Sequence, residues 1–436
     1  MSNWKPSLSF SQIVNMNVGF FGIQYSFGLQ QSAVNPIYDF LGASPDEIPL
    51  LNLAGPVTGL LIQPFIGAMS DSTWHPKWGR RKPYFFIGAL LCSICLLLYP
   101  FSSSLWMAAS LLWILDAGNN TAMEPYRAFV ADKLNEEQQP TGFQMQSFFT
   151  GFGQTLANLS LFIFPLIFIG KTGSLPTWVY ASFFLGAICS VGTIWWSMKT
   201  TPEIEPDAAE LEHIRANKLS PSGSIKEIFS AILEMPKVMW QLALVYLFQW
   251  YALFCYWQNS SKSIALSVWN TTPKDDPKLY EEAVSWTGLV NGWYNIVTFL
   301  TALILARYAQ KHGAKVVHMV CLLLAAIGFI TFPMIGDKNL LFFAITGFGI
   351  GWASMMGIPY LLVVSDIPKE RYGVYMGIIN MMIVVPMILQ NLSFGFILKH
   401  FLDNDPRNAI TFAGALLAIA ALATAFIKSS PTKQSA

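Results

Sequence analysis

Apolar residues run along this chain in blocks of about twenty or more, separated by short turns that carry charge, proline or glycine. A helix crosses the ~30 Å hydrocarbon layer in ~20 residues. On that scale the blocks predict twelve spans, at 11–37, 47–70, 83–101, 104–131, 141–169, 175–198, 237–264, 283–307, 314–335, 339–364, 373–400 and 407–428. The expected fold is an all-α membrane protein of twelve transmembrane helices. The first span keeps Asn15, Asn17 and Gln24 and lacks a small-residue cleavage site, so it reads as a permanent helix and not a removable signal. The spans leave no room for a soluble catalytic domain.

Composition agrees with the pattern. Hydrophobic residues make up 53% of the chain and charged residues 12%, with a mean hydropathy of +0.45, values that exclude an ordinary soluble domain. A net charge of +1 gives no basis for a nucleic-acid partner. Positively charged loops stay cytoplasmic. With both termini on that side, eighteen of the 26 Lys and Arg are cytoplasmic and seven, Lys262 among them, are not; Arg127 lies inside a span. The bias predicts cytoplasmic N- and C-termini. Cys92, Cys95, Cys189, Cys255 and Cys321 all fall inside spans, which argues against a disulfide framework. Cys92 and Cys95 form a CxxC with no matching His or second pair, so they are read as packing and no metal is expected. His75, His213, His312, His318 and His400 sit at or near loops and complete no catalytic set, so the chain is not read as an enzyme.

Residues 199–236 are the longest polar stretch and divide six spans from six. They are read as a cytoplasmic linker between an N-terminal bundle, 1–198, and a C-terminal bundle, 237–436. The halves echo one another, as a duplication would. Pro125-Tyr126 precedes Asp132 by the interval at which Pro359-Tyr360 precedes Asp366, and Gly142-Phe-Gln-Met145 and Gly373-Val-Tyr-Met376 follow. Further on, Asn158-Leu-Ser160 corresponds to Asn391-Leu-Ser393.

The fourth span carries charge in its middle: Asp116, Asn119, Asn120, Glu124 and Arg127. At ~100° per residue they share one face, and at ~1.5 Å per residue from Ser104 Asp116 lies about 18 Å deep, near the bilayer centre. Ionisable groups at that depth are costly and mark substrate or proton paths. Desolvation disfavours a charged carboxylate, so Asp116 can take up and carry a proton. Protonation also changes what it offers a hydroxyl, from acceptor only to donor and acceptor, which couples proton and substrate occupancy. Glu124 is the other candidate for proton coupling, although Arg127, three residues on, can pair with it. A proton is expected as the coupling ion rather than sodium. A hard cation wants several oxygen ligands, and the second span holds no acid between Glu47 and Asp71, only Asn52, Thr58 and Gln63.

Facing spans carry amides and aromatics. The candidate substrate contacts beyond Asp116, Asn119, Asn120 and Arg127 are Gln24 and Gln30 in span one, Gln249 and Trp257 in span seven, and Asn291, Tyr294 and Asn295 in span eight. Amides serve hydroxyls as donors and acceptors, and aromatic faces cover the apolar face of a sugar. A small neutral sugar fits best. No other cofactor is expected, and the chain is read as monomeric.

Gly67-Ala-Met-Ser-Asp71 closing span two and Gly79-Arg80-Arg81-Lys82-Pro83 opening span three resemble the major facilitator signature, with a longer loop between them. Major facilitator proteins are built from two six-helix halves with the substrate near the midplane between them. The basic cluster fixes topology. It is also read as a gate, in which Arg80 or Arg81 pairs with Asp71 or Asp132 in one state, with Asp366 placed equivalently in the other half.

The run Leu115-Asp116-x-x-Asn119-Asn120-Thr121…Pro125-x-Arg127-Ala128-Phe129-x-Ala131-Asp132 resembles the sucrose-type branch of the glycoside–pentoside–hexuronide:cation symporters. The resemblance implies proton-coupled uptake of a disaccharide such as sucrose or maltose, across a plasma membrane of the bacterial inner-membrane type. It further implies that Asp116 takes the proton and bonds the sugar, with Asn120 and Arg127 lining or stabilising the site. Glu124 departs from the neutral glutamine of plant carriers, which leaves the proton site open between Asp116 and Glu124. The rival readings are an exporter of amphipathic compounds by proton antiport and a sugar sensor without turnover.

Overall fold

The computed structural model describes residues 5–71, 73–135, 138–173, 175–206, 208, 211–212, 214, 230–363 and 372–428. Within them every expected span holds one long helix. In the first half these are α1 (Phe10–Phe40), α3 (Ala54–Asp71), α4 (Lys82–Leu98), α5 (Leu105–Lys133), α6 (Gln139–Ile167) and α7 (Thr177–Thr200), with a four-residue α2 (Ile48–Leu51) before α3. In the second they are α8 (Lys237–Trp269), α9 (Pro277–His312), α10 (Ala314–Thr331), α11 (Leu341–Val363), α12 (Tyr372–Phe401) and α13 (Pro406–Ala425). A two-residue hairpin, β1 (Lys171–Thr172) with β2 (Leu175–Pro176), joins α6 to α7. Among the described residues nine stretches are long and apolar enough to cross a membrane. The helices outside that set are α1, α5 and α9, which carry the polar residues singled out above. This is a multi-pass membrane fold.

The ends of the elements follow local chemistry. Ser9 and Gln12 form a capping box at the start of α1, and Ser104, Asp276 and Asp405 cap α5, α9 and α13. The second span is interrupted between α2 and α3. Pro56 has no N–H to give the carbonyl of residue 52, and just before it the Asn52 side chain donates back to the Ile48 carbonyl at 2.9 Å, closing the short α2. α8 outruns its apolar block because Ser260, Ser261, Lys262 and Ser263 are all buried within it, and it stops where Asn270 turns left-handed at φ 48°. Lys262, counted above with the outer-side cations, is therefore buried within this helix. His318 likewise is buried on α10, its Nδ1 2.7 Å from Ser354 Oγ on α11; a hydroxyl partner makes burial of an imidazole tolerable.

The chain divides into two compact units, Met1–Ala43 with Ala54–Leu219, and Ser44–Leu53 with Ser220–Ala436. Much of the expected 199–236 linker lies outside the described residues. In the first unit α1 packs on α6 and α7, and α4 on α5. Ile13, Met16, Phe20, Phe85, Tyr126, Phe129 and Ile194 form one buried cluster, inside which the Tyr126 hydroxyl donates to the Met16 carbonyl. In the second unit α8 packs on α12 and α13, and α10 on α11, with Tyr256 stacked on Phe329 at 4.6 Å. Helices read as apolar all round because one side meets helices and the other lipid; on α4, Ala89, Cys92 and Leu96 are buried while Leu90, Ile94 and Leu97 are exposed.

The duplicated Asn-Leu-Ser runs sit in matching bonding positions. Asn158 on α6 bonds back to the Gln154 carbonyl and accepts from Ser32 of α1 at 2.5 Å. Asn391 on α12 bonds back to the Met387 carbonyl and accepts from Gln258 of α8 at 2.8 Å. In each unit the asparagine ties the fifth long helix to the first.

Close packing of α4 on α5 depends on Gly88 and Gly118, which face one another. A Cβ at Gly88 would lie 2.5 Å from the Gly118 carbonyl oxygen and 2.6 Å from the Ala122 nitrogen. Gly88→Ala should therefore cost about 1–3 kcal/mol by overpacking, read as a lower melting temperature in detergent. Gly192→Ala, where nothing lies within 4 Å, should melt like the parent.

Candidate functional site

The polar face of α5 is met by a face of α3 with small side chains. Asp116 is 3% exposed, and its carboxylate makes no hydrogen bond or ion pair among the described residues. On α3, a Cβ at Gly55 would lie 3.5 Å from Asp116 Oδ2. One turn along, Asn120 is held from three directions. Its Nδ2 donates to Thr58 Oγ1 at 3.1 Å and to the Asp116 carbonyl at 2.9 Å, and its Oδ1 accepts from Gln63 Nε2 at 2.6 Å. Another turn along, Glu124 lies beside Gly67, and its carboxylate is 4.0 Å from the Arg127 guanidinium, both half-exposed. Thus α3 offers Gly55, Thr58, Gln63 and Gly67 to Asp116, Asn120 and Glu124.

Asn119 is turned elsewhere. Its Nδ2 donates to Ser26 Oγ of α1 at 2.9 Å and its Oδ1 accepts from Cys92 Sγ of α4 at 3.1 Å, so both halves of its amide are engaged in joining three helices. The first cysteine of the CxxC is thereby an interhelical donor. Gln24 is buried and accepts from Gln154 Nε2 of α6 at 3.0 Å. The Nε2 of Gln30 is buried with no hydrogen-bond partner among the described residues. Two buried phenols, Tyr38 and Tyr99, lie within electrostatic reach of Asp116.

The basic cluster between α3 and α4 is built around two carboxylates. Arg81 Nε meets Asp132 Oδ2 at 2.7 Å, and Arg81 Nη1 donates to Ser70 Oγ at 2.6 Å. Arg80 Nε points to the Ser70 carbonyl at 3.4 Å. Glu203, after α7, accepts from the backbone N–H groups of Arg80, Arg81 and Lys82 at 2.8, 3.0 and 2.9 Å. A carboxylate at a helix N-terminus is favourable on both hydrogen-bonding and dipole grounds. Gly79 makes this possible: its φ is +76°, and a Cβ there would sit 2.5 Å from the Glu203 carboxyl. Of the expected gate residues, Arg80, Arg81 and Asp132 come together here; the Asp71 side chain and Asp366 lie outside the described residues.

Residues 16–390 match the Major Facilitator Superfamily. The chain belongs to the major facilitator superfamily. It is similar to the rice (Oryza sativa) sucrose transport protein SUT2, 25% identical over 94% of this chain and 92% of that one. The Arabidopsis thaliana sucrose transport protein SUC4 is 24% identical over 92% and 88%. Among solved structures, the nucleoside transporter NupG superposes with a TM-score of 0.71 at 13% identity, covering 96% of this chain and 100% of that one. The partially occluded inward-open xylose transporter XylE from E. coli gives 0.68 at 12%, covering 98% and 99%. These likenesses establish the major facilitator fold.

In the second unit of this major facilitator chain, Trp257 Nε1 donates to Tyr294 OH at 3.3 Å, and Tyr256 OH donates to Asn291 Oδ1 at 2.8 Å. Asn295 bonds back to the Asn291 carbonyl. Gln249 is fully buried with both amide atoms lacking a hydrogen-bond partner among the described residues. Trp352 of α11 lies edge-on to Trp250 at 5.7 Å and to Trp257 at 5.6 Å. Sequence reasoning missed Glu203, Gln154, Ser26 and Trp352. The first three act across distant stretches of chain, and only Glu203 left a hint, in the glycine at residue 79. Trp352 sits among the small and apolar residues of the tenth span, where an indole reads as packing.

Proposed function

We propose that this chain is a proton-coupled carrier that takes up a neutral disaccharide of the sucrose or maltose class by alternating access. The observation that carries the reading is the Asp116 carboxylate: buried at bilayer depth, without a partner among the described residues, and one turn from an amide held by Thr58 and Gln63. A buried carboxylate without a cation is stable when protonated, and it can then donate to a sugar hydroxyl while a neighbouring oxygen accepts. Similarity to proteins named as sucrose transporters supports the sugar class. The absence of any acid in the second span between Glu47 and Asp71 supports a proton over sodium. Lys and Arg placement supports cytoplasmic termini, and the family resemblance supports a plasma membrane.

The test is uptake of labelled sucrose and maltose into proteoliposomes. With one-to-one coupling, an inward-acid gradient of one pH unit should support about tenfold accumulation, the equivalent of ~1.4 kcal/mol. Exchange of sodium for potassium should leave it unchanged. Accumulation that required sodium and ignored the pH gradient would overturn the reading.

A further inference from the structure

Glycines of the first unit differ in what a side chain there would meet. At Gly22, Gly88 and Gly153 a Cβ would meet the backbone of another helix at 2.3, 2.5 and 2.8 Å, so packing dictates the residue. Gly55 and Gly59 of α3 are different. A Cβ at Gly55 would have as its nearest neighbours three atoms of the Asp116 carboxyl, at 3.5–4.0 Å, and at Gly59 only Gln63 Nε2 lies within 4 Å, at 3.9 Å. Neither is in the left-handed region. Glycine weakens a helix relative to alanine, yet neither backbone conformation nor helix packing requires it here. Independently, the Asp116 carboxylate, buried and without a hydrogen-bond partner among the described residues, is aimed at that side of α3.

We infer that Gly55 and Gly59 form one wall of a slot through which a substrate hydroxyl reaches Asp116, and that Gly55 is a specificity-determining position. The inference rests on the function proposed above and names the part of the first unit that meets the sugar. A hydroxyl needs a free approach to the carboxyl oxygen and a second partner beside it. The missing side chain at Gly55 provides the first. The second lone pair of Asn120 Oδ1, one turn along and already accepting from Gln63 Nε2, provides the second. A methyl at residue 55 would touch Oδ2 at ordinary van der Waals distance, so Gly55→Ala should fold and insert normally while obstructing the approach.

The experiment compares Gly55→Ala, Gly55→Val and the methyl control Gly192→Ala with the parent. One arm measures labelled-sucrose and maltose uptake. A second measures the rate at which dicyclohexylcarbodiimide modifies Asp116, followed by mass spectrometry and needing no sugar. Gly55→Ala should raise KM at least tenfold with Vmax within a factor of two, and slow modification of Asp116 at least fivefold; Gly55→Val should abolish uptake. Wild-type KM and wild-type modification in correctly inserted Gly55→Ala would overturn the inference, as would a fall in Vmax with KM unchanged. Failure of the parent itself to take up either sugar would count against the proposed function alone, since the modification arm still reports on the slot.

Discussion

Asp116→Asn should abolish acid-driven accumulation while leaving sugar exchange across the membrane measurable. The parent is expected to accumulate about tenfold per pH unit; the variant should reach only the external concentration. The substitution is nearly isosteric, and no described residue depends on the Asp116 carboxylate for a hydrogen bond, so it leaves no buried group orphaned. The Asp116 carbonyl that holds Asn120 is backbone and is unaffected. An amide can still donate to and accept from a hydroxyl, which is why exchange should survive with a KM shifted by less than about tenfold, or ~1.4 kcal/mol. What it cannot do is change protonation. In the parent, uptake should fall as the external pH rises, because the loaded state needs the proton; in the variant that dependence should vanish. Wild-type accumulation in Asp116→Asn would move the proton site to Glu124, whose partner Arg127 stands 4.0 Å away.

The fold was legible in the sequence because membrane helices announce themselves by length and apolarity, and every apolar block holds a helix. Where block and helix part company, local chemistry explains it: Pro56 interrupts the second span, and Asn270 ends α8 well beyond its apolar stretch. The candidate site was legible at Asp116, Asn120 and Glu124 because three polar residues at intervals of four make a stripe that an otherwise apolar helix cannot hide. Asn119 shares the stripe only approximately, and its amide is engaged with Ser26 and Cys92. The facing wall was not legible. Gly55 and Gly59 read as ordinary small residues of a membrane helix, and only the position of the carboxylate distinguishes them. Glu203 was hidden for a different reason: it lies more than 120 residues from the backbone amides it accepts from, and the only local hint was the glycine at residue 79.

Charge reversal at Asp132 is expected to stop uptake, and double reversal is expected to restore part of it. Arg81 is nearly buried, with side-chain exposure of 5% against 40% for Asp132, so water is a poor substitute for the carboxylate if it is lost. Removing one member of a buried pair costs about 3–5 kcal/mol; the partial exposure of Asp132 puts this pair below that range. Asp132→Lys goes further, placing two cations about 4 Å apart, a repulsion of ~4 kcal/mol at an effective dielectric of 20. An energy of that size shifts a two-state equilibrium by several hundredfold. We propose that the pair stabilises one state of the transport cycle, as the gate read from the sequence would; Asp132→Lys should then lower uptake more than tenfold in protein that is inserted and melts near the parent temperature. Asp132→Asn, which keeps an acceptor for Arg81 Nε, should lose less. The double variant Arg81→Asp/Asp132→Arg should recover at least a quarter of parental uptake, although Ser70 then loses its donor from Arg81 Nη1. Binding of sugar should be nearly unchanged in all three, because the pair lies about four helical turns from Asp116 on α5. Full uptake in Asp132→Lys would reduce the cluster to a determinant of topology, the role that Arg80, Arg81 and Lys82 fill by charge alone.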